Sequence, residues 1–273
     1  MAVDPSAQIH PTAIVAEGAS IGAETSVGAY SIIDAEVVIG CRNRIGPHVV
    51  ITGRTQIGDE NEIFQFASVG AVPQDLKYHG EPSRLEIGNR NKIREYVTLQ
   101  PGTEGGGMLT SIGNNNLFMA CTHVGHDGKV GNYNVFANGA GLSGHVEVGN
   151  HVVVGGMAGI HQFVRLGDYG MLAAGAMVGK DVPPYCIAQG DHAELVGLNQ
   201  IGLQRAGWSS EDLGLMRKLF RQVLCGEGLF KQRVMAARAQ YQGHAAAEFF
   251  LDFLLSSERG IMPARRRSGE ESE

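Results

Sequence analysis

The chain has 273 residues, 43% of them hydrophobic and 18% charged, which is enough to bury a substantial core in one or two domains. A net charge of -6 argues against a nucleic-acid partner, because phosphate-binding proteins normally carry clustered excess lysine and arginine. The 39 glycines and only 7% aromatic residues are typical of a narrow solenoid, not of a layered α/β enzyme. Widely spaced cysteines without a CxxC pair predict a reducing, cytoplasmic location, and no apolar run approaches the ~20 residues that span a bilayer.

The first element in chain order is a repeat of six residues. Every sixth residue from Ile9 to Val69 is aliphatic, and the same apolar phase runs again over residues 87–99 and 112–178. A period of six fits neither a helix nor an isolated strand, whereas a hexapeptide β-helix uses one short strand and one turn per hexad. Three hexads close a coil of 18 residues, with coils stacked about 4.8 Å apart. We therefore predict a β-helix over residues 1–190.

Two interruptions of the repeat predict external loops at about residues 70–86 and 100–111. Across the first, the hexad phase would bury Asp75 and Glu81, and unpaired buried carboxylates are strongly destabilising. The inward-facing residue is commonly followed by Gly and then by Asn or Asp, as in Ile57-Gly58-Asp59. We expect the Gly and Asn or Asp residues to adopt positive φ angles at the corners.

The pattern becomes helical after Pro183-Pro184. Ser209 and the following acidic residues resemble a helix start, and apolar residues then recur at helical spacing. Similar patterns cover about 229–241 and 245–257. We predict a small α-helical domain over residues 191–273 that covers the last edge of the solenoid, with a flexible tail from about residue 260.

A histidine cluster stands out within the repeat. His126 lies two residues after the inward-facing Val124, in the slot that other hexads fill with Asn or Asp, and steps of 18 lead to Gly144 and Gln162. Such a column suits acyl transfer, in which a base removes a hydroxyl proton and an N–H stabilises the resulting oxyanion. An imidazole suits the role of base because its unperturbed pKa lies near 6.5.

The neighbours of His126 complete this hypothesis. Asp127 can orient the imidazole, and His123, His145 and His161 lie close to the same column. No nucleophilic Ser or Cys is needed if the acceptor hydroxyl attacks directly, so Cys121, which we place in a core-facing phase, is given a structural role. A zinc site of His123, His126 and His145, as in β-helical carbonic anhydrases, is the alternative, but the histidine spacing differs, and we predict no metal.

Six segments together resemble one family, that of the UDP-N-acetylglucosamine O-acyltransferases, which are hexapeptide-repeat enzymes that begin lipid A biosynthesis. The resemblance covers nearly the whole chain and implies a left-handed parallel β-helix followed by helices. The segments are Ile9-His10-Pro11-Thr12-Ala13, Pro73-Gln74-Asp75-Leu76-Lys77-Tyr78, His123 to Asp127, Gly155-Gly156-Met157, His161-Gln162-Phe163 and Asp181-Val182-Pro183-Pro184-Tyr185.

The resemblance implies transfer of an (R)-3-hydroxyacyl chain from acyl carrier protein to the 3-OH of UDP-N-acetylglucosamine. It implies His126 as general base and the Gly144 N–H as oxyanion donor, in a homotrimer with sites between subunits. No separate cofactor is implied, because the acyl donor is carried on the phosphopantetheine of the carrier protein. The implied substrate-binding residues are Gln74, Asp75, Lys77, His123, His145, His161, Gln162, Asn199 and Arg205; those implied to set acyl-chain length are Ala174 and His192.

Two departures from the family pattern affect specificity. Ala174 stands where many members have Gly, and we expect its methyl group to shorten the preferred acyl chain modestly. Pro101 and Ile201 replace a basic and an acidic residue, which makes the nucleoside contacts less defined. The sequence does not distinguish UDP-N-acetylglucosamine from its 3-amino analogue. The docking surface for acyl carrier protein is expected at basic residues of the helical domain, such as Arg217, Lys218 and Arg221.

Three other functions fit parts of the pattern. A related N-acyltransferase acts on a later acyl-glucosamine nucleotide but normally carries an extra domain before its hexads, whereas the repeat begins here by Ile9. A small-acyl acetyltransferase would consume acetyl-CoA. A non-enzymatic scaffold would need neither the polar loop nor the histidine column.

Overall fold

The computed structural model describes residues 3–265, which form 28 short strands and four α-helices. The strands lie in three sheets, here called A, B and C, and the chain visits them in turn. Each strand before β27 pairs in parallel with a strand one coil away, as in Gln8 with Ser26. The result is a three-sided parallel β-helix. The turns after strands of sheets A, B and C are called corners A, B and C.

The strand bounds follow the hexads. Sheet A holds β3 (Ser20–Ile21), β6 (Val38–Ile39), β9 (Arg54–Ile57), β12 (Arg84–Ile87), β15 (Leu109–Ile112), β18 (Lys129–Val130), β21 (Glu147–Val148) and β24 (Arg165–Leu166). Sheet B holds β1 (Gln8–Ile9), β4 (Ser26–Val27), β7 (Arg44–Ile45), β10 (Glu62–Ile63), β13 (Lys92–Ile93), β16 (Leu117–Phe118), β19 (Val135–Phe136), β22 (Val153–Val154), β25 (Met171–Leu172), β27 (Cys186–Gln189) and β28 (Glu194–Leu198). Sheet C holds β2 (Ile14–Val15), β5 (Ile32–Ile33), β8 (Val50–Ile51), β11 (Ser68–Val69), β14 (Thr98–Leu99), β17 (His123–Val124), β20 (Gly141–Leu142), β23 (Gly159–Ile160) and β26 (Met177–Val178).

The second residue of nearly every two-residue strand faces the core, which explains the period of six. These residues are buried from Ile21 to Val178 and form one continuous apolar column per sheet. Phe118 and Phe136 stack face to face, with ring centroids 4.8 Å apart, as their spacing of one coil predicts. The core therefore extends along the whole solenoid instead of lying at one centre.

Corner A carries two ladders of side-chain amides that fasten the coils together. In the fully buried ladder, the side-chain amide of Asn61 donates to Asn43 Oδ1 at 3.0 Å. Asn91 donates to Asn61 and Asn116 donates to Asn91 in the same way, at the same distance. The links to Asn91 and Asn116 span 30 and 25 residues of chain, against 18 elsewhere. The ladder therefore keeps its spacing across both inserted loops.

Both loops are shorter than predicted. The expected bounds of 70–86 and 100–111 are corrected to 70–83 and 100–108, because β12 and β15 extend two residues earlier than the hexad repeat requires. Leu85 and Thr110 take a second inward-facing position in these strands and are fully buried. A short 3-10 helix, Glu104–Gly106, lies within the second loop.

The predicted positions of positive φ were wrong. Positive φ falls on the third residue after the inward-facing one, as at Glu60 (φ 59°), and not on Gly58 or Asp59. Gly58 is needed because a Cβ there would overlap the Asn89 side chain and lie 2.8 Å from the Gly88 carbonyl oxygen. Asp59 belongs to the second amide ladder, in which its N–H donates to Asn89 Oδ1 at 2.7 Å. Close stacking of coils, not backbone conformation, selects these residues.

Cys121 also departs from its prediction. It occupies one of these positive-φ positions, with φ 63°, and is exposed at corner B. The buried position belongs instead to Thr122, whose hydroxyl donates to the carbonyl oxygen of Met119 at 2.7 Å. The core-facing phase assigned to Cys121 was therefore off by one residue.

The end of the solenoid lies beyond the predicted boundary at residue 190. β27 and β28 form an antiparallel hairpin that extends sheet B to Leu198. Helices α1 (Gln200–Arg205), α2 (Ser210–Phe220), α3 (Phe230–Gln240) and α4 (Ala245–Leu255) follow, with a π-helical turn at Arg221–Cys225. Ser209 caps α2 by accepting from Asp212 N at 3.0 Å, as predicted. None of the helices between residues 3 and 265 is long and apolar enough to span a membrane.

The predicted flexible tail needs a correction as well. Residues 261 and 264 make parallel bridges to Asp181 and Leu195, so residues 260–265 pack against the end of the solenoid. The backbone pairs there because the last coil leaves its N–H and carbonyl groups open. The rest of the predicted tail, residues 266–273, lies outside the described residues.

Two core threonines on sheet A provide a stability test. Thr110 Oγ1 is fully buried and has no hydrogen-bond partner within residues 3–265, whereas Thr55 Oγ1 donates to the Thr52 carbonyl oxygen at 2.7 Å. We expect Thr110→Val to raise the free energy of unfolding by about 1 kcal/mol and Thr55→Val to lower it by a similar amount. Thermal unfolding of both variants is the measurement. A Thr110→Val protein that melts below Thr55→Val would contradict this reading of the core.

Candidate active site

A buried carboxylate lies at the centre of the predicted site. Asp127 sits at corner C, three residues after the inward-facing Val124, and is 3% exposed. Thr103, in the second loop, donates to both carboxylate oxygens: its N–H to Oδ1 at 2.9 Å and its hydroxyl to Oδ2 at 2.6 Å. Gly106 packs so closely against this carboxylate that a Cβ would overlap it. The second loop is therefore built around Asp127.

His126 is oriented by this carboxylate. Its Nδ1 lies 2.8 Å from Asp127 Oδ2, and its side chain is 15% exposed. Because the carboxylate accepts, Nδ1 carries the proton and Nε2 of the neutral ring is left with a lone pair. Asp75 Oδ2, from the first loop, is 4.0 Å from this Nε2. The arrangement leaves a base of fixed orientation that faces a second carboxylate.

Gly144 lies directly against the His126 ring in the next coil. A Cβ at Gly144 would be 2.5 Å from both Cε1 and Nε2 of His126, which no side chain could accept without displacing the ring. The Gly144 N–H donates no hydrogen bond within residues 3–265, whereas the N–H of His145 is held by the His126 carbonyl oxygen at 2.9 Å. An unpaired N–H beside the base is the arrangement that oxyanion stabilisation requires.

His145 and His123 flank the base as neutral rings. His145 meets His126 edge to face, with centroids 5.0 Å apart, and stacks on Phe163 at 4.3 Å. His123 Nδ1 lies 2.7 Å from the Thr98 hydroxyl. Burial holds the pKa of both His123 and His145 below the usual histidine value, although the Asp127 carboxylate opposes this at His145. Both imidazoles therefore offer hydrogen bonds instead of a positive charge at neutral pH.

The first loop brings the predicted polar residues to the same corner. The Gln74 N–H donates to Gln100 Oε1 at 3.2 Å, which ties the two loops together. The Lys77 N–H donates to Asp75 Oδ1 at 3.0 Å, so Asp75 is held while its other oxygen faces His126. The side chain of Lys77 is exposed.

A cavity of about 750 Å³ adjoins the site on the outer face of sheet C. Its floor is a column of outward-facing residues, one from each successive coil, in which two glycines separate His123 from Met177. His161 and His192 also line the cavity, while Gln162 is exposed at the corner beside it. The lining is mainly apolar, which suits a hydrocarbon chain.

The remaining predicted residues lie at other corners of the β-helix or in the helical domain. Asn199 is 7% exposed and caps α1, with its Nδ2 donating to the carbonyl oxygen of Tyr169 at corner A. Arg205 ends the same helix and is exposed. Ala174 is exposed at corner B, two residues after the inward-facing Leu172. One chain therefore does not gather all the predicted residues into one site.

The predicted equivalence between His126 and the Asn or Asp corners was wrong. The Asn and Asp residues, such as Asp59 and Asn89, lie at corner A, where they form ladders. His126 lies at corner C, where the column contains Pro101, His126 and Gly144. The stacking of His126 with Gly144 is correct, but His126 does not replace a member of a ladder.

The zinc alternative is poorly matched by the geometry. Within residues 3–265, the only group of side chains close enough to share an ion is His126, Asp127 and His145, whose ligand atoms lie within 4.8 Å of one another. His123, which the alternative requires, is not part of it. Both oxygens of Asp127 already accept hydrogen bonds from Thr103.

Three residues near the site were not predicted from the sequence. Met177 precedes the inward-facing Val178, so the hexad phase could have placed it on the outer face of sheet C, in the same column as His123. Thr103 contacts Asp127 from a loop that has no periodicity, and Arg259 contacts His161 Nδ1 at 2.8 Å from beyond the last helix. No local pattern marks these two residues.

Comparisons with known proteins agree with this fold. A family profile described as UDP-N-acetylglucosamine O-acyltransferase, domain 2, matches residues 181–262. The acyl-[acyl-carrier-protein]–UDP-N-acetylglucosamine O-acyltransferase of Myxococcus xanthus is 48% identical over 93% of this chain and 99% of its own length. The enzyme of the same name from Rickettsia bellii is 53% identical over 90% of this chain and 88% of its own.

Solved structures give the same result. LpxA from Acinetobacter baumannii superposes with a TM-score of 0.91 at 43% identity and covers 93% of this chain and 99% of its own. The UDP-N-acetylglucosamine acyltransferase of Francisella novicida has a TM-score of 0.92 at 34% identity, over 95% of each chain. The predicted left-handed parallel β-helix with a C-terminal helical domain is confirmed.

The fold and the comparisons define this chain as a hexapeptide-repeat acyltransferase. Within that class, it belongs to the UDP-N-acetylglucosamine O-acyltransferase family, since relatives of known name match it along nearly their whole length.

Proposed function

We propose that this enzyme transfers an (R)-3-hydroxyacyl group from acyl carrier protein to the 3-OH of UDP-N-acetylglucosamine, the first step of lipid A biosynthesis. The observation that carries the proposal is an oriented base beside a residue with an open N–H: His126 Nδ1 is held by Asp127 at 2.8 Å, and Gly144, whose N–H has no partner within residues 3–265, lies against the same ring. Relatives with the corresponding name support the choice of donor and acceptor.

The reaction needs only one acyl transfer, made directly between the two bound substrates by way of a tetrahedral intermediate. His126 Nε2 removes the proton of the sugar 3-OH as that oxygen attacks the thioester carbonyl, and Asp127 stabilises the imidazolium that forms. The Gly144 N–H donates to the oxyanion. Collapse of the tetrahedral intermediate expels the phosphopantetheine thiolate, which takes the proton from His126. The base is restored, no acyl-enzyme forms, and no separate cofactor takes part.

The surrounding residues are given binding roles. Asp75, 4.0 Å from His126 Nε2, is placed to accept from the sugar near the reacting hydroxyl. Lys77 and Gln74, from the same loop, are also assigned to the bound substrates. The neutral rings of His123 and His145 bind sugar or thioester oxygens. Gln162, Asn199 and Arg205 hold the nucleotide, for which a guanidinium offers bidentate contacts to the diphosphate.

The direct test is mass detection of the acylated nucleotide formed from defined acyl carrier protein thioesters. UDP-N-acetylglucosamine, its 3-amino analogue and acetyl-CoA are supplied in parallel reactions. We expect an ester of UDP-N-acetylglucosamine from the hydroxyacyl thioester. Amide formation in preference to ester would reassign the acceptor, and acetyl transfer alone would overturn the proposal.

The division of the predicted residues between corners supports an active site shared by subunits of a homotrimer. His126 lies at corner C, whereas Asn199 and Arg205 lie beside corner A of the same chain. A neighbouring copy that turns its corner A towards corner C would complete the site, because a cyclic assembly brings different faces of identical chains together.

Mixed assemblies test this arrangement. We expect His126→Ala and Arg205→Ala to be nearly inactive alone and to regain activity when they are co-expressed. Each mixed interface that joins an intact His126 to an intact Arg205 forms one complete site. The measurement is turnover of purified, differently tagged hetero-oligomers. A mixture no more active than its parents would indicate that each site lies within one chain.

Acyl-chain selection gives a further prediction. Met177 is 49% exposed inside the cavity, and its Sδ would lie 2.9 Å from a Cβ at Gly159, so its side chain lies across the floor. We expect Met177→Ala to favour longer acyl chains by about tenfold, because each methylene accommodated in an apolar site contributes ~1 kcal/mol. We expect Ala174→Gly to produce a smaller shift in the same direction, and His192 to limit the far end.

Competition among acyl carrier protein thioesters of different lengths measures these preferences. Wild-type enzyme that prefers the longest chains would contradict the role given to Ala174. An unchanged preference in Met177→Ala would contradict the role given to Met177.

A further inference from the structure

The chain segment after α4 forms one wall of the cavity, and Arg259 reaches from it to His161. Arg259 Nη2 lies 2.8 Å from His161 Nδ1, and Arg259 Nε donates to the carbonyl oxygen of Gly179 at 2.8 Å. Met262 and Pro263, from the same segment, also line the cavity. When a molecule binds in the cavity, Nδ1 of His161 is therefore already engaged by Arg259.

The contact with Arg259 fixes where the proton of His161 resides. A guanidinium has donors but no acceptor and keeps its charge, so His161 Nδ1 must accept from it. The neutral ring then carries its hydrogen on Nε2. The carbonyl oxygen of Gln162 lies 3.2 Å from the same Nδ1 and would favour the opposite tautomer, with the hydrogen on Nδ1. The contact from the charged guanidinium is the shorter and stronger of the two.

Arg259 is held in place before any substrate binds. Asp181 is fully buried, and its Oδ2 accepts from the Ser257 hydroxyl at 2.7 Å. The N–H of Asp181 donates to the Gly260 carbonyl oxygen at 2.9 Å. Residues on both sides of Arg259 are thus tied to one buried residue, Asp181, through its carboxylate and its backbone N–H, which lowers the conformational entropy that the arginine loses in reaching His161.

We propose that Arg259 is a positioning residue that holds His161 as the neutral Nε2–H tautomer, so that His161 donates a hydrogen bond to an oxygen of the acyl donor. The inference rests on the proposed function, which places the acyl donor in this cavity. Without Arg259, the Gln162 carbonyl draws the proton to Nδ1. His161 then presents a lone pair, which repels an acceptor oxygen instead of binding it.

A double-mutant cycle separates this role from a structural one. We expect Arg259→Met to lower kcat/KM for the acyl carrier protein thioester about tenfold, as for the loss of one well-formed hydrogen bond. In a His161→Gln background the same substitution should have little further effect, because it acts through His161. Arg259→Lys, which retains a cationic donor, should recover part of the activity.

Arg265→Gln is the matched control. Arg265 ties the same segment to β28 through Glu194 Oε2 at 3.2 Å and does not contact His161. We expect it to leave kcat/KM unchanged. A loss in Arg259→Met that persists fully in the His161→Gln background, or a comparable loss in Arg265→Gln, would show that Arg259 only anchors the segment and would overturn the proposal.

The tautomer itself is observable by NMR of protein labelled with ¹⁵N-histidine, with His161→Gln used to assign the signal. We expect a hydrogen on Nε2 of His161 in the wild type and on Nδ1 in Arg259→Met. An unchanged tautomer would overturn the inference. This measurement needs no substrate, so its result stands even if the wild-type enzyme fails to acylate UDP-N-acetylglucosamine, which would count against the proposed function alone.

Discussion

Replacement of His126 by alanine is expected to lower kcat by about 10³-fold with little change in KM, because general-base catalysis by a positioned imidazole contributes 10²–10⁴-fold. The ring contacts the reacting hydroxyl mainly as the proton moves, so its loss affects the transition state more than substrate binding. Steady-state turnover of UDP-N-acetylglucosamine with a hydroxyacyl thioester measures the effect.

His48→Ala is the control for this experiment. His48 stacks between Tyr30 and Phe66 at corner B, near the start of the solenoid and away from the predicted base. Its removal exposes ring surface but touches none of the groups around Asp127. Equal turnover by wild type and His126→Ala would refute the role given to His126, whereas equal losses in both variants would indicate a general effect on stability.

Gly144→Ala is expected to lower kcat by at least about 10²-fold, although the substitution retains the N–H. The new Cβ would lie 2.5 Å from Cε1 and Nε2 of His126 and 3.0 Å from Nδ1. The ring must therefore turn, which weakens its 2.8 Å contact with Asp127 and moves it from the acceptor hydroxyl. Kinetics and a crystal structure of the variant would together show whether the ring has moved.

Gly105→Ala is a suitable comparison for Gly144→Ala. Gly105 is in the second loop, and a Cβ there would meet no atom within 4 Å. We expect it to keep nearly full activity. Full activity of Gly144→Ala would instead mean that the N–H and the base do not act as neighbours, and the proposed mechanism would need another oxyanion donor.

The solenoid could be predicted from the sequence because each hexad repeats the same packing arrangement. One apolar side chain every six residues is enough to specify an inward column, and the spacing of 18 places His126 beside Gly144 without any knowledge of the loops. Local turn chemistry was less accessible. Gly58 and Asp59 are selected by the approach of the next coil, which a single hexad does not reveal.

The contacts that complete the site come from aperiodic chain. Thr103 donates hydrogen bonds to the carboxylate of Asp127, 24 residues further along the chain. Arg259 contacts His161, 98 residues before it. Their positions depend on how a loop and a terminal segment fold back on the coils, which neither spacing nor composition records. The shared phase of Met177 and His123 was present in the sequence, but it becomes informative only when the outer face of sheet C is known to border a cavity.

The buried ladder of asparagines at corner A has a consequence for how this architecture can vary. Asn61 donates to Asn43 across a chain separation of 18 residues, and Asn91 donates to Asn61 across a separation of 30, both at 3.0 Å. The length of the intervening segment therefore has no influence on the coil spacing. Loops can therefore be exchanged, lengthened or rewritten while His126 and Gly144 stay one coil apart. New acceptors and acyl chains become accessible through loop changes that leave the reacting groups in register.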